Sequence, residues 1–248
     1  MATRLLLIED DPSIARFVAL ALEELPRIDV GAPAVELSVV RRLSDARAAL
    51  QTGGWQLVIS DLMLPDGSAQ TLLAEGCARA PGAPPWVVFS AGLGDASRDD
   101  LVAYGVARLL RKPVPLAELL ATVSELLKSG ATPRPTPMPI LPPATLPDPV
   151  ALHFGGDRML YETFRAGCIE RFADDIAAGN AAVAGGDTAA LRRVAHGLKA
   201  VLELIGHPDL AAQACALEQA TTTGRGQASP GDWAALAQGL AGLSQGAH

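Results

Sequence analysis

Two groups of residues in this chain have types and spacing suited to phosphoryl chemistry. The first group is dispersed: Glu9-Asp10-Asp11, Asp61, Ser90 and Lys112, each directly after or at the end of a short apolar run. Carboxylates gathered at one place repel one another unless a hard cation sits among them. Mg²⁺, or Mn²⁺, suits such a place because it takes oxygen ligands and keeps waters that a phosphoryl oxygen can replace. A carboxylate beside the metal is then a nucleophile, a lysine neutralises the incoming charge, and a serine hydroxyl donates to a phosphoryl oxygen. The second group is compact: Arg193, His196 and Lys199 within one stretch of Ala- and Leu-rich sequence. A neutral imidazole there is a nucleophile, and cations on the adjacent turns depress its pKa and offset the charge of a transferred group.

Each residue also has a plainer reading. Asp10-Asp11 before Pro12 can be a helix N-cap with its first-turn acid. Asp61 can serve the turn Leu62–Gly67, Ser90 can be ordinary turn chemistry, and Lys112 a solvated charge. His196 alone reads first as a solvated surface histidine. Taken jointly, at the ends of successive strands, the dispersed residues favour a site.

The elements that must position them follow from the periodicity. Runs at Leu5–Ile8, Val35–Val40, Leu57–Ser60, Trp86–Phe89 and Val106–Leu110 read as strands. Between and after them, 14–25, 44–50, 68–80, 95–104 and 115–128 read as helices. Apolar strands alternating with helices specify a parallel sheet covered on both faces, with sites at the carboxyl ends of its strands. The expectation is an α/β doubly wound, five-stranded parallel sheet. Eight prolines between Pro133 and Pro149 end this pattern, because no helix or central strand survives that density. That segment is expected to be a semi-rigid spacer. Beyond it the β-rich runs stop, and 157–184, 187–205, 208–221 and 230–243 favour helices joined by short connections, hence an all-α four-helix bundle. The expected division is 1–128, a Pro-rich linker over 129–150, and 151–248.

Composition narrows the function classes. With 27 acids against 20 bases the net charge is −7, so a general nucleic-acid binder lacks the concentrated basic surface it needs. Three scattered cysteines give neither a disulfide framework nor metal-ligand spacing. No run suits membrane insertion and no leader is evident at Met1-Ala2-Thr3-Arg4, so a cytoplasmic location is expected.

Residues 1–128 resemble a response-regulator receiver domain, through Glu9-Asp10-Asp11, the run Ser60–Gly67, Ser90-Ala91 and Lys112-Pro113. The resemblance implies a flavodoxin-like fold in which Asp61 accepts a phosphoryl group from a phosphohistidine. It further implies that Asp10, Asp11, Asp61 and the backbone carbonyl of Met63 hold the metal, while Ser90 and Lys112 sense the phosphorylated state. Leu109 stands where that family usually carries an aromatic switch. Residues 152–243 resemble a histidine phosphotransfer (HPt) domain, through His196-Gly197-Leu198-Lys199, Gly206, Leu217-Glu218 and 154–161. His196 is then the relay histidine, assisted by Lys199, with Ala200 in place of the usual glycine. Partners implied are a sensor histidine kinase and an upstream or downstream response-regulator receiver. The alternative is a phosphorylation-regulated binding protein whose helical domain docks a partner without using His196.

The helical stripe Leu191, Val194/Ala195, Leu198, Leu202 and Ile205 places Arg193, His196, Ala200 and Glu203 on the opposite, exposed face. That reading sets His196 in solvent among cations only.

Overall fold

Strands without polar alternation must be covered on both sides, and the chain supplies helices for both faces. The computed structural model describes residues 3–29, 34–90, 95–129, 148–223 and 230–245. The chain divides into two compact units, Met1–Pro147 and Asp148–His248. Apart from Ser129 and Asp148–Val150, the Pro-rich segment lies outside the described residues, as does Ala91 of the Ser90-Ala91 pair.

In the first unit β1 (Thr3–Ile8), β2 (Val35–Val40), β3 (Leu57–Asp61), β6 (Trp86–Ser90) and β7 (Arg108–Arg111) form one parallel sheet in the order β2-β1-β3-β6-β7. A two-residue-per-strand antiparallel hairpin, β4 (Met63–Leu64) and β5 (Gly67–Ser68), lies between β3 and β6 in sequence. The helices are α1 (Pro12–Ile28), α2 (Leu43–Thr52), α3 (Gln70–Ala74), α4 (Asp95–Ala103) and α5 (Leu116–Ser129). Alternation along the strands sends Leu6, Ile8, Val58 and Val88 into one core with Ala46, Leu72, Leu73 and Leu101. The intervening Leu5, Leu7, Leu57, Ile59, Val87 and Phe89 are buried as well. They point to the other face of the sheet, where α1 and α5 pack together. The expected doubly wound sheet is the observed one.

Two elements differ from the sequence reading for the same reason. The helix expected over 68–80 is α3 alone, because Gly76 (φ 91°) closes it: the Cys77 amide donates to Leu72 O and the Gly76 amide to Leu73 O. Gly105 (φ 88°) closes α4 in the same way, with Val106 N donating to Leu101 O and Gly105 N to Val102 O. Both are left-handed C-terminal caps, which glycine adopts without a Cβ clash. Val106 is therefore spent on the cap, and the fifth strand of the sheet starts at Arg108 instead of Val106.

The second unit consists of α6 (Pro149–Phe154), α7 (Arg158–Gly185), α8 (Thr188–Leu204), α9 (Pro208–Thr223) and α10 (Pro230–Gln245). Three aspartates start helices: Asp148, Asp157 and Asp187 accept from the amides of Val150, Leu160 and Ala190. The four long helices form the expected bundle, and the short α6 is an addition that the sequence reading did not place. It docks through Phe154, edge-on to Tyr161 with ring centroids 5.4 Å apart. Pro149 packs where a Cβ on Gly206 (φ 83°) would lie, 2.7 Å from its Cγ. Among the described residues no helix is long and apolar enough to cross a membrane.

Candidate functional site

Parallel pairing brings the carboxyl ends of β1, β3, β6 and β7 to one edge of the sheet. Ile8 aligns with Ser60, Asp61 with Phe89, and Ser90 with Arg111, so the residues after or at those strand ends converge. Lys112 reaches across this edge. Its Nζ lies 2.6 Å from Asp61 Oδ2 and 2.8 Å from Glu9 Oε2, all three side chains being buried. Ser90 is buried at the same edge. The Lys112–Pro113 peptide bond is cis.

Glu9, Asp10 and Asp61 each offer a carboxylate oxygen within 4.8 Å of the others. Such a group fits a divalent cation, and its electrostatics say the same. Burial, then the carboxylates of Asp61 and Asp11, push the Asp10 pKa up. Burial pushes Glu9 up to about 8, against the downward pull of Lys112. Burial alone would discharge Lys112, but Glu9 and Asp61 outweigh it and hold the ammonium charged. An excess of buried negative charge over one lysine is what a cation would relieve.

Asp11, expected to ligate beside Asp10, is placed differently. Its Oδ1 accepts from the amides of Ser13 at 2.7 Å and Ile14 at 3.0 Å, capping α1. The N-cap reading of this residue is the one its geometry follows. Glu9 takes the place in the cluster, with its Oε1 accepting from Asp11 N at 3.2 Å. The signal was present in the sequence: Pro12 at the first helical position makes the residue before it the cap, leaving Glu9 and Asp10 for the sheet edge.

Asp61 Oδ1 accepts from the amides of Leu62 at 2.5 Å and Met63 at 3.3 Å. Met63 opens the β4–β5 hairpin, which turns at Pro65-Asp66. The segment read as a plain turn is thus a built loop directly after Asp61.

In the second unit His196 lies on α8, but not in open solvent. Its side chain is 13% exposed, because α9 packs along α8 and brings Glu218 against it. Nδ1 is 2.6 Å from Glu218 Oε1, and Lys199 Nζ donates to Glu218 Oε2 at 2.6 Å. Nε2 is screened from solvent. Burial would raise the Glu218 pKa, but hydrogen bonds from His196 and Lys199 hold it down to about 2. The expected ring of cations is instead a carboxylate shared between the histidine and one lysine, while Arg193 stays exposed. Ala200, expected on the open face, is buried. The stripe contacting other helices is wider than the heptad positions because α8 packs against both α7 and α9. Glu218 is the residue whose role sequence reasoning missed; nothing in the α8 sequence shows which α9 side chain crosses to it.

Residues 164–246 match the Hpt domain family. Over that stretch the second unit is similar to Hpt domains. No curated protein matches the chain. Among solved structures, a two-component response regulator from Clostridium difficile is 21% identical, with a TM-score of 0.44 over 52% of this chain and 99% of its own. The phosphorylated cyanobacterial phytochrome response regulator RcpA is 24% identical, with a TM-score of 0.43 over 53% and 98%. A CheY-like receiver domain protein from Methanospirillum hungatei is 21% identical, with a TM-score of 0.44 over 52% and 97%.

Proposed function

We propose that this chain is a phosphorelay intermediate with two phosphoacceptors, Asp61 and His196. The observation that carries the reading is the buried Lys112 ammonium set 2.6 Å from an Asp61 carboxylate that sits among two further acids. Asp61 Oδ attacks the phosphorus of a partner's phosphohistidine. The P–N bond breaks, its electrons return to the departing imidazole, and an acyl phosphate forms. Lys112 neutralises the phosphoryl oxygens, and the Ser90 hydroxyl donates to one of them. Glu9, Asp10, Asp61 and the Met63 carbonyl would hold Mg²⁺, or Mn²⁺, which supplies charge neutralisation and a template for the phosphoryl oxygens.

In the second unit Glu218 accepts from the Nδ1–H of His196, which leaves the lone pair on Nε2. Nε2 attacks an aspartyl phosphate of a receiver, the acyl C–O–P linkage opens at phosphorus, and the carboxylate leaves. Lys199 stands one turn away to meet the added charge. Partners are a sensor histidine kinase and a receiver on either side of the relay, and the setting is the cytoplasm.

The screening of Nε2 favours a second reading: phosphorylation of Asp61 alters docking of the helical unit on a partner, and His196 is not used. Phosphotransfer profiling of wild-type, Asp61→Asn and His196→Gln forms against phosphorylated kinases and receivers separates the two. Relay requires that Asp61→Asn lose the aspartyl label and His196→Gln the histidyl label. A phosphorylation-dependent interaction that survives His196→Gln, with no phosphohistidine in the wild type, supports the second reading.

A further inference from the structure

The loop after Asp61 is tied to a helix that the proposed reaction does not otherwise involve. α2 begins without a side-chain cap of its own, since Arg42 at its N-cap position makes no capping hydrogen bond. Its first amides are satisfied from 23 residues away: Leu43 N donates to Asp66 Oδ1 at 2.6 Å and Ser44 N to Asp66 Oδ2 at 3.0 Å. Asp66 is the tip of the β4–β5 hairpin, whose first residue is Met63.

The rest of the hairpin is fixed at its base. Leu64 is buried in the core beside Leu72 and Ala69, and Leu43 packs on the same cluster. Gly67 has φ 150°, and a Cβ there would lie 3.1 Å from Leu43 Cδ2, so hairpin and helix meet closely. The Ala69 amide donates to Leu62 O, closing the loop back on the residue after Asp61. Burial tends to raise the Asp66 pKa, yet the two amides hold it below the usual carboxylate range. Asp66 itself is exposed.

We infer that Asp66 is a positioning residue: by clamping the hairpin tip to the α2 N-terminus it fixes the direction of the Met63 carbonyl and so sets the divalent-cation affinity of the Glu9–Asp10–Asp61 site. This rests on the proposed reading of that site. A carbonyl ligand contributes to an ion only when it is held in place, and groups that orient ligands typically change metal affinity 10- to 100-fold when removed. The effect here falls at the lower end, because Leu64 and the Ala69 amide still hold the base of the loop.

The test uses the full chain and Mn²⁺ alone, with free and bound metal distinguished by electron paramagnetic resonance, alongside the melting temperature. Asp66→Ala is expected to weaken Mn²⁺ binding about tenfold. Asp66→Asn, which retains one acceptor oxygen, is expected to lie between it and the wild type. Adding Arg42→Ser to Asp66→Ala supplies α2 with a local cap at a position whose extended backbone suits one. The double variant is expected to recover the melting temperature and not the affinity. Unchanged Mn²⁺ affinity in Asp66→Ala, or affinity restored by Arg42→Ser, overturns the inference and reduces Asp66 to a helix cap. Failure of the wild type to bind Mn²⁺ overturns the metal-site reading itself, and the inference with it.

Discussion

Glu218 holds His196 and Lys199 at once, one carboxylate oxygen 2.6 Å from the imidazole Nδ1 and the other 2.6 Å from the ammonium. The carboxylate thereby selects the tautomer protonated on Nδ1 and restrains the ring plane. It also holds a ring whose Nε2 is screened from solvent.

Removing this acceptor is expected to slow histidyl transfer. Glu218→Ala should lower the rate of phosphoryl exchange with a receiver about tenfold. Glu218→Gln, whose amide oxygen still accepts from Nδ1–H, should retain more. Radiolabel transfer time courses check this. Equal rates in wild type and Glu218→Ala would remove the positioning role. The Glu218 pKa, held near 2, also sets a pH window. A carboxylate depressed in the folded state contributes stability that is complete above its ordinary pKa of 4.5 and is lost as pH falls toward 2. The pair therefore persists throughout the neutral range.

Lys112 is expected to be needed for stability chiefly when no cation is bound. Lys112→Met leaves Glu9 and Asp61 buried without their shared counter-charge, a loss typically of about 3–5 kcal/mol. Burial pushes the Glu9 pKa up, so a proton on Glu9 relieves part of it. A divalent cation supplies the missing charge, so the deficit should shrink in saturating Mg²⁺. Urea denaturation with and without Mg²⁺ measures it. A deficit independent of Mg²⁺ would show that the cation does not enter this cluster.

The sheet was legible because its strands are apolar runs of strand length, and the candidate residues because strand ends in a parallel sheet share one edge. The helix ends were less so. Gly76 and Gly105 look alike in sequence to glycines within loops, and only the Schellman-type bonds show that each ends its helix. Asp10 and Asp11 are chemically identical, and only Pro12 at the first helical position marks the second as the cap. The Asp66 clamp joins residues 22 and 23 apart, and the His196–Glu218 contact spans 22, so neither pairing has a periodic signature.

Packing in the bundle depends on Gly179. A Cβ there would sit 1.9 Å from Trp233 Cζ2, and Trp233 is further fixed by donating its Nε1–H to Asn180 Oδ1 at 2.8 Å. Neither helix backbone nor a buried indole yields easily, so Gly179→Ala should destabilise the second unit by about 1–3 kcal/mol despite the better helix propensity of alanine. Thermal unfolding followed by tryptophan fluorescence tests it; an unchanged or raised melting temperature would contradict the packing.

The second unit should also lose stability in mild acid. His153 on α6 is buried, its Nδ1 has no hydrogen-bond partner among the described residues, and burial lowers its pKa from 6.5. Burial and Arg165 lower His207 as well. The sign follows from linkage: below pH 6.5 the unfolded chain binds a proton at each histidine that the folded chain resists. The stability tied to these groups is thus complete above about pH 7 and declines as pH falls through 6.5 toward the lower folded pKa values. His153→Leu removes the larger share, since His153 is the more buried of the two and leucine fills much of the same space. Urea unfolding between pH 7.5 and pH 5 should therefore show a shallower acid-side loss in His153→Leu than in the wild type. Parallel pH profiles for the two proteins would mean that folding does not lower the His153 pKa.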